Sequence, residues 1–417
     1  MFKSLSVRVV IALVLGVAAG AYVRTEAPAL QEAAGYVEAF GGLWLNALRM
    51  TVVPLVFSLV VIGIASVADA AATGRLAARA VLLFSVLLVF AALYSIAATS
   101  GLLQVWPIDP AAARAFLAGA PAGEAAPAAP EGGFARWLQS LAPSNPIAAA
   151  AEEAILPLVV FAVFFGFAAT RLGEEQKAAI VNLFRAIAEA MIVIVHWVLI
   201  AAPIGVFALS LGVGLRAGFG AVGVLAHYVA IVSLVTLGIT IIALFLAITW
   251  GRAPAARFAA AAGAPLAVAF STQSSLASLP AMLEAARTGL GVPRRITDLV
   301  LPLAVAVFRF TSPVANLAVA LYIAALYGLS PTPLALIGAV VVAFAVSIGS
   351  VGLPGQVSFI ASMTPICIAL GAPVELLGVL LAVEVAPDIF RTRGNVSGDL
   401  AATLILSDKK ERDAEAG

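Results

Sequence analysis

The sequence predicts an all-α polytopic membrane protein with eight transmembrane helices and two re-entrant helical hairpins. Three observations carry that prediction. The 417 residues are 63% hydrophobic and only 11% charged, whereas a soluble chain is about half apolar and roughly a quarter charged. Apolar runs of about 20 residues, long enough to cross a bilayer, recur from end to end. Two long apolar segments are interrupted by polar or glycine-rich stretches. A chain this poor in polar surface takes the lipid bilayer as part of its solvent.

The elements follow in order. The run 7–23 comes after Lys3 and Arg8 and resembles a signal peptide. No small-x-small cleavage site precedes the next polar stretch, and everything downstream is membrane-embedded, so a first span is the better reading. Further spans are expected at 43–67, 77–103, 155–169, 187–211 and 222–249. A segment at 255–286 is broken by Ser271-Thr272-Gln273-Ser274-Ser275. A span at 296–327 comes next, then 335–370, broken around 349–355, then 376–406. Residues 107–146, rich in Ala, Pro and Gly, read as an extramembrane loop.

Positive charge fixes the direction of threading. It clusters at Lys3/Arg8, Arg75/Arg79, Arg171/Lys177, Arg252/Arg257, Arg287/Arg294/Arg295 and Lys409/Lys410/Arg412. Alternating spans put the first four clusters in the cytoplasm. The last two join them only if both broken segments dip into the membrane and return. Both termini are then cytoplasmic, in a multi-pass protein of the cytoplasmic (inner) membrane. Irregular backbone survives at membrane depth only where it lines a cavity or is packed in protein. The hairpin tips therefore face a polar site, and paired broken segments point to inverted repeats around it.

Several function classes fall away. A net charge of +1 offers no attraction to nucleic acid. A single cysteine, Cys367, precludes an intrachain disulfide and a thiolate cluster. His196 and His227 lie in different apolar segments and read as packing or hydrogen-bonding residues, not as a metal site. No nucleophile–base constellation appears, so no enzyme is expected, and no cofactor.

The last span carries Glu384, Asp388, Arg391, Thr392, Arg393, Asn395, Ser397 and Asp399. At about 100° per residue, Glu384, Asp388, Arg391, Thr392, Asn395 and Asp399 share an arc of roughly 100°, with Arg393 on the opposite side. An unpaired charge in a span costs about 2.5–3.5 kcal/mol on insertion scales. One reading is an ion-pair ladder that pins helices together, and the Asp388–Arg391 spacing fits it. A ladder, however, does not require two broken hairpins, and a binding site does. Arg391 offers a planar fork for a carboxylate, and Asp388, one turn away, suits an ammonium. Together they are complementary to an acidic amino acid. Ser274 and Ser275 at the first hairpin tip supply hydroxyls and backbone N–H groups for the remaining carboxylate.

These residues resemble a known family. Ser274-Ser275-Leu276-Ala277-Ser278-Leu279-Pro280 is similar to the serine-rich tip of hairpin one in the glutamate transporter family, the dicarboxylate/amino acid:cation symporters. Gly349-Ser350-Val351-Gly352-Leu353-Pro354-Gly355 resembles its hairpin two. Asp388-x-x-Arg391-Thr392-x-x-Asn395-Val396-x-Gly398-Asp399 resembles its signature last helix. Val53-Pro54-Leu55-Val56-Phe57, Pro143-Ser144-Asn145-Pro146 and Ala202-Pro203-Ile204-Gly205-Val206-Phe207 extend the likeness over nearly the whole chain.

The resemblance implies a homotrimer of elevator-type transporters. Residues 1–70 and 147–212 would form the scaffold. Residues 71–106 and 213–408 would form the moving transport domain, joined through the external loop 107–146 and ending in the tail 409–417. It implies that Arg391 binds the side-chain carboxylate of L-aspartate or L-glutamate and Asp388 its amino group. Thr392, Asn395, Ser274, Ser275, Ser312 and, in hairpin two, Gly352, Leu353 and Pro354 would complete the pocket. The acid and arginine together are the aspartate/glutamate pattern; dicarboxylate carriers tend to lack the acid, and neutral amino-acid carriers the arginine.

The chain departs from the family at its sodium-binding positions, and carries Gln273 where bacterial members often have a hairpin-one arginine. The family's seventh span carries Asn-Met-Asp-Gly-Thr, whose Asn and Asp help coordinate sodium. Here the aligned stretch is Phe308-Arg309-Phe310-Thr311-Ser312. Phenylalanine offers no oxygen to a hard cation. Span three, near a further family sodium site, reads Phe90, Leu93 and Tyr94. Of the expected ligands Asp399 and Asn395 remain, and a new cation, Arg309, stands beside them. A buried arginine needs an anionic partner, and Asp399 and Glu384 are the candidates. The expectation is a sodium-independent carrier with Arg309 as a tethered cation. A carrier coupled to sodium through a rearranged site, or to protons through Glu384 or Asp399, is the alternative. A channel or non-transporting sensor on the same fold is a third reading, and no attached signalling domain supports it.

Overall fold

The computed structural model describes residues 5–119, 133–218, 220–349 and 355–407. The expected tail 409–417, residues 120–132 of the expected loop, and the second tip with Gly352, Leu353 and Pro354 lie outside the described residues. Every regular element among the described residues is helical.

The chain starts with α1 (Leu5–Thr25), then α2 (Gln31–Arg49) and α3 (Val52–Ala72), parted only by Met50 and Thr51. Pro54 explains the break, because its ring cannot accept a helical carbonyl at Met50. α4 (Arg75–Val105) is one long helix. Three short helices follow: α5 (Pro110–Gly119), α6 (Gly133–Ser140) and α7 (Pro146–Ala151). The expected loop thus contains regular structure, and α5 packs against later helices. Asn145 caps α7 by accepting from the N–H groups of Ile147 and Ala148.

α8 (Ile155–Ala169), α9 (Glu174–Ile200), α10 (Ala202–Ala217) and α11 (Gly220–Thr249) come next. The expected span at 187–211 is corrected here. The chain breaks at Ala201, so that stretch is the second half of α9 and the first half of α10. Pro203 in the first turn of α10 has no N–H to give, and its ring clashes with a helical carbonyl at Leu199. Glycines let α10 lie against α1: a Cβ at Gly20 would sit 2.2 Å from the Leu211 carbonyl oxygen, and one at Gly214 2.3 Å from that of Val17.

α12 (Ala255–Thr272) and α13 (Ser275–Glu284) form the first hairpin. Gln273 turns the chain in the left-handed conformation (φ 51°). The two ends of this unit meet: Arg257 Nε donates to the Gly289 carbonyl at 2.7 Å. The broken segment therefore folds back on itself, as expected. α14 (Arg294–Val307) and α15 (Ser312–Leu326) flank an unwound stretch, 308–311. α16 (Pro333–Gly349) and α17 (Gly355–Leu370) pack against each other as the two arms of the second broken segment. α18 (Leu377–Leu380) and α19 (Val385–Leu406) close the chain. The span expected at 376–406 is therefore not continuous. Glu384 sits at the junction and α19 restarts after it, with Pro387 in the first turn where a missing N–H costs least.

Seven stretches among the described residues are long and apolar enough to cross a membrane: 7–25, 28–72, 75–105, 174–200, 220–249, 255–272 and 294–326. Apolar side chains such as Tyr36, Leu43, Phe164 and Trp197 are exposed on the outside. The centre is filled by α15 and α19, whose residues are almost all buried. Ion pairs lace the ends: Lys177 with Asp69 at 2.6 Å, Arg216 with Glu38, and Arg49 with both Glu153 (3.5 Å) and Glu375 (3.3 Å).

Candidate substrate site

α19 brings its polar stripe into the middle of the molecule. Asp388, Arg391, Thr392, Asn395 and Asp399 are all buried. Arg393 is exposed, as expected from its place on the opposite arc.

Arg391 is the centre of the site and is 3% exposed. Its Nη2 donates to Glu384 Oε1 at 2.5 Å, and its Nη1 lies 3.5 Å from Asp388 Oδ1. Its Nε has no partner. Tyr228 on α11 donates to the other Glu384 oxygen at 3.2 Å. The guanidinium is thus held on one side by two acids, while one N–H remains for a ligand. A buried N–H without a partner costs about 1–3 kcal/mol, so the arrangement favours an incoming acceptor.

The unwound stretch is tied to α19 by Thr311. Its backbone N–H and its hydroxyl both reach Asn395 Oδ1 at 2.9 Å, and its hydroxyl also reaches the Arg391 carbonyl at 2.8 Å. Asn395 therefore spends its carbonyl oxygen within the protein. The expected hydroxyls have local partners yet keep bonding capacity. Thr392 Oγ1 donates to the Asp388 carbonyl at 3.0 Å. Ser312 Oγ accepts from Asn316 Nδ2 at 3.2 Å, leaving its own proton to give. Ser274 Oγ caps α13 by accepting from Ala277 N–H at 3.2 Å. Ser275 opens α13, whose N-terminal dipole favours an anion. The first tip reaches the start of α19: Gln273 Nε2 lies 3.5 Å from the Val385 carbonyl.

Sequence reasoning did not single out Tyr228 or Thr311 for the site. Tyr228 belongs to an apolar span and meets Glu384 across 156 residues. Thr311 stood in the aligned motif without an assigned role.

The neighbourhood of Asp399 is different. It is 1% exposed, and neither carboxylate oxygen has a hydrogen-bond partner. Phe310 lies against its helix: a Cβ on Gly398 would stand 2.7 Å from the Phe310 ring. Phe308 stacks on Phe84 with centroids 4.5 Å apart and rings 10° from parallel, and on Phe310 at 5.5 Å. The guanidinium of Arg309 is attracted electrostatically by Asp388 and Asp399 and repelled by Arg391. Of the span-three residues, Phe90 and Leu93 are exposed, and the Tyr94 hydroxyl donates to the Val235 carbonyl at 3.0 Å. A hard cation gathers six or so oxygens. Here the aligned positions carry the rings of Phe308 and Phe310, which offer no oxygen, and Asn395 Oδ1 accepts from the Thr311 N–H. The described residues do not fit a sodium ion at this place.

The comparison with known proteins decides the class. A model of the sodium:dicarboxylate symporter family matches residues 5–409.

The chain belongs to the sodium:dicarboxylate symporter family.

It is 28% identical to the proton/glutamate-aspartate symporter of Escherichia coli K12 over 406 residues, covering 97% of this chain and 92% of that one. It is 31% identical to the neutral amino acid transporter B(0) of Bos taurus over 448 residues, 97% of this chain and 79% of that one. It is 26% identical to the proton/sodium-glutamate symport protein of Bacillus caldotenax over 428 residues, 96% and 93% of the two. Members of this symporter family are secondary transporters, not enzymes. The chain is a multi-pass membrane transporter of that family.

Proposed function

We propose that this family member carries acidic amino acids, L-aspartate or L-glutamate, across the cytoplasmic membrane without sodium. One observation carries the substrate reading. Arg391 is buried, oriented by Glu384 and Asp388, and keeps a free Nε–H. A guanidinium with an open donor receives a carboxylate, and Asp388 beside it receives an ammonium. A neutral amino acid has no second carboxylate to offer. In this reading Ser274, Ser275, Ser312 and Thr392 offer hydroxyls to the substrate, and Gly352, Leu353 and Pro354 belong to the gate.

Sodium independence rests on Phe308, Arg309 and Phe310. Two rings replace oxygen ligands, and the Arg309 cation stands where its charge is attracted to Asp388 and Asp399. A tethered cation travels with the protein in both directions and transmits no energy from a sodium gradient. The reading brings an elevator mechanism, with 71–106 and 213–408 sliding against a scaffold of 1–70 and 147–212 in a homotrimer. The termini are cytoplasmic, and the exposed apolar faces of α2 and α9 are open to lipid and to neighbouring copies.

A second reading, proton symport, is favoured by the balance of buried charge. Glu384, Asp388 and Asp399 oppose Arg309 and Arg391, leaving one net negative charge, and an acidic amino acid adds another. Burying charge without a counter-charge is costly.

Uptake of labelled aspartate into liposomes holding the purified protein tests both readings, with sodium or choline outside. Equal uptake in the two media is expected. Strict dependence on sodium would overturn the tethered-cation reading. Stimulation in choline by an acid exterior selects proton symport over exchange or uniport.

A further inference from the structure

Thr311 stands where the family's seventh-span motif has glycine, so its side chain is an addition of this chain. It is fully buried. Its backbone N–H donates to Asn395 Oδ1 at 2.9 Å. Its hydroxyl lies 2.8 Å from the Arg391 carbonyl and 2.9 Å from the same Oδ1. Its methyl fills a recess over Gly394, where a Cβ would stand only 2.4 Å from it. Hydroxyl and methyl sit on one tetrahedral carbon. With the methyl in the recess and the hydroxyl between two acceptors, the side chain is held in a single rotamer.

These contacts decide what Asn395 offers a ligand. A peptide N–H only donates, so the amide end that faces it is the oxygen. The Nδ2 end, with both its protons, is turned away from Thr311. A carboxylate only accepts, so this is the amide orientation that a carboxylate substrate requires. The flipped amide would set N–H against N–H.

The hydroxyl adds a second hold. Its one proton is shared between Oδ1 and the Arg391 carbonyl, one turn apart on α19. The unwound stretch is thereby fixed to the same turn that carries Arg391 and Asn395. Ser312 follows Thr311 directly, and its N–H donates to the Arg309 carbonyl at 2.8 Å. The place of Thr311 therefore also sets the place of the Ser312 hydroxyl relative to Arg391.

We infer that Thr311 is a positioning residue for the substrate: its side chain, seated between Arg391, Gly394 and Asn395, holds the Asn395 amide with its N–H end free for a carboxylate and aligns Ser312 with Arg391. It acts through these neighbours rather than by touching the substrate. The inference deepens the proposed acidic amino-acid transport and rests on that reading. A site ordered before its ligand arrives loses less affinity to ordering.

The test compares the purified full-length wild type with Thr311→Val and Thr311→Ser by calorimetric titration with L-aspartate in detergent. Valine keeps the shape and the peptide N–H and loses the hydroxyl, whereas serine keeps the hydroxyl. Neither strands a buried acceptor, because the Arg391 carbonyl keeps its helical partner and Oδ1 keeps the peptide N–H. A hydrogen bond between uncharged groups changes an equilibrium by a factor of about two to ten. Thr311→Val is accordingly expected to bind aspartate about fivefold more weakly, and Thr311→Ser within about twofold of wild type. Thr311→Ala, which also lacks the hydroxyl, takes the place of valine if that variant does not fold. In liposomes, the half-saturating aspartate concentration for exchange is expected to rise by the same factor without the hydroxyl, with the maximal rate unchanged. A side chain that only stabilised the fold would lower the unfolding temperature and the amount of active protein, and would leave the affinity of the folded molecules as it is. Wild-type affinity in the variant lacking the hydroxyl, or a serine variant weakened as much, would overturn the inference. Wild-type protein that binds no aspartate would instead overturn the substrate reading on which it rests.

Discussion

Arg391 is the centre of the proposed substrate site. It is anchored by Glu384 and Asp388, and Glu384 is anchored by Tyr228. Removing one member of a buried pair strands the other. Glu384→Ala should therefore destabilise the folded protein by about 3–5 kcal/mol, read as a lower unfolding temperature in detergent. Arg391→Ala should abolish uptake of acidic amino acids, and unchanged aspartate affinity in that variant would refute the pocket assignment. The charged residues were legible from sequence because a charge in an apolar span stands out. Tyr228 and Thr311 were not, because a tyrosine or threonine in such a span has no pattern, and their partners are 156 and 80–84 residues away.

At the level of elements, interruptions matter more than helices. The first hairpin was legible from Ser271 to Ser275, and the structure closes it through Arg257 and Gly289. The unwinding at 308–311 interrupts what the sequence presented as a single span at 296–327. The breaks at Ala201 and Glu384 were not placed, because hydropathy runs through them unchanged and only Pro203 and Pro387 mark them. The unwound stretch fits against α19 through glycines: a Cβ on Gly394 would lie 2.4 Å from the Thr311 methyl, and one on Gly398 2.7 Å from the Phe310 ring. Gly398→Ala should cost about 1–3 kcal/mol by overpacking. Phe310→Ala combined with it should cost less than the sum of the two single changes, as a double-mutant thermal unfolding cycle would measure.

For the whole molecule, the proposed mechanism separates two ligands by their effect on stability. A ligand that binds only the folded state raises its stability, by about 2.7 kcal/mol at a concentration 100 times its Kd. Aspartate should raise the unfolding temperature in choline buffer, and replacing choline with sodium should add nothing. A rise with sodium alone would show a cation site that the described residues do not form. The all-helical, many-span plan was legible from hydropathy. The way α10 lies against α1 was not, because it depends on glycine contacts between residues nearly 200 apart.

Arg49 has a further consequence in a protein whose parts slide. It grips Glu153 and Glu375 together, and in the proposed division Arg49 and Glu153 stay still while Glu375 travels. The grip must be released in every half-cycle, so it contributes to the activation barrier of the stroke rather than to affinity. Exchange of labelled aspartate should therefore quicken in Arg49→Gln and at higher ionic strength, with the half-saturating concentration unchanged.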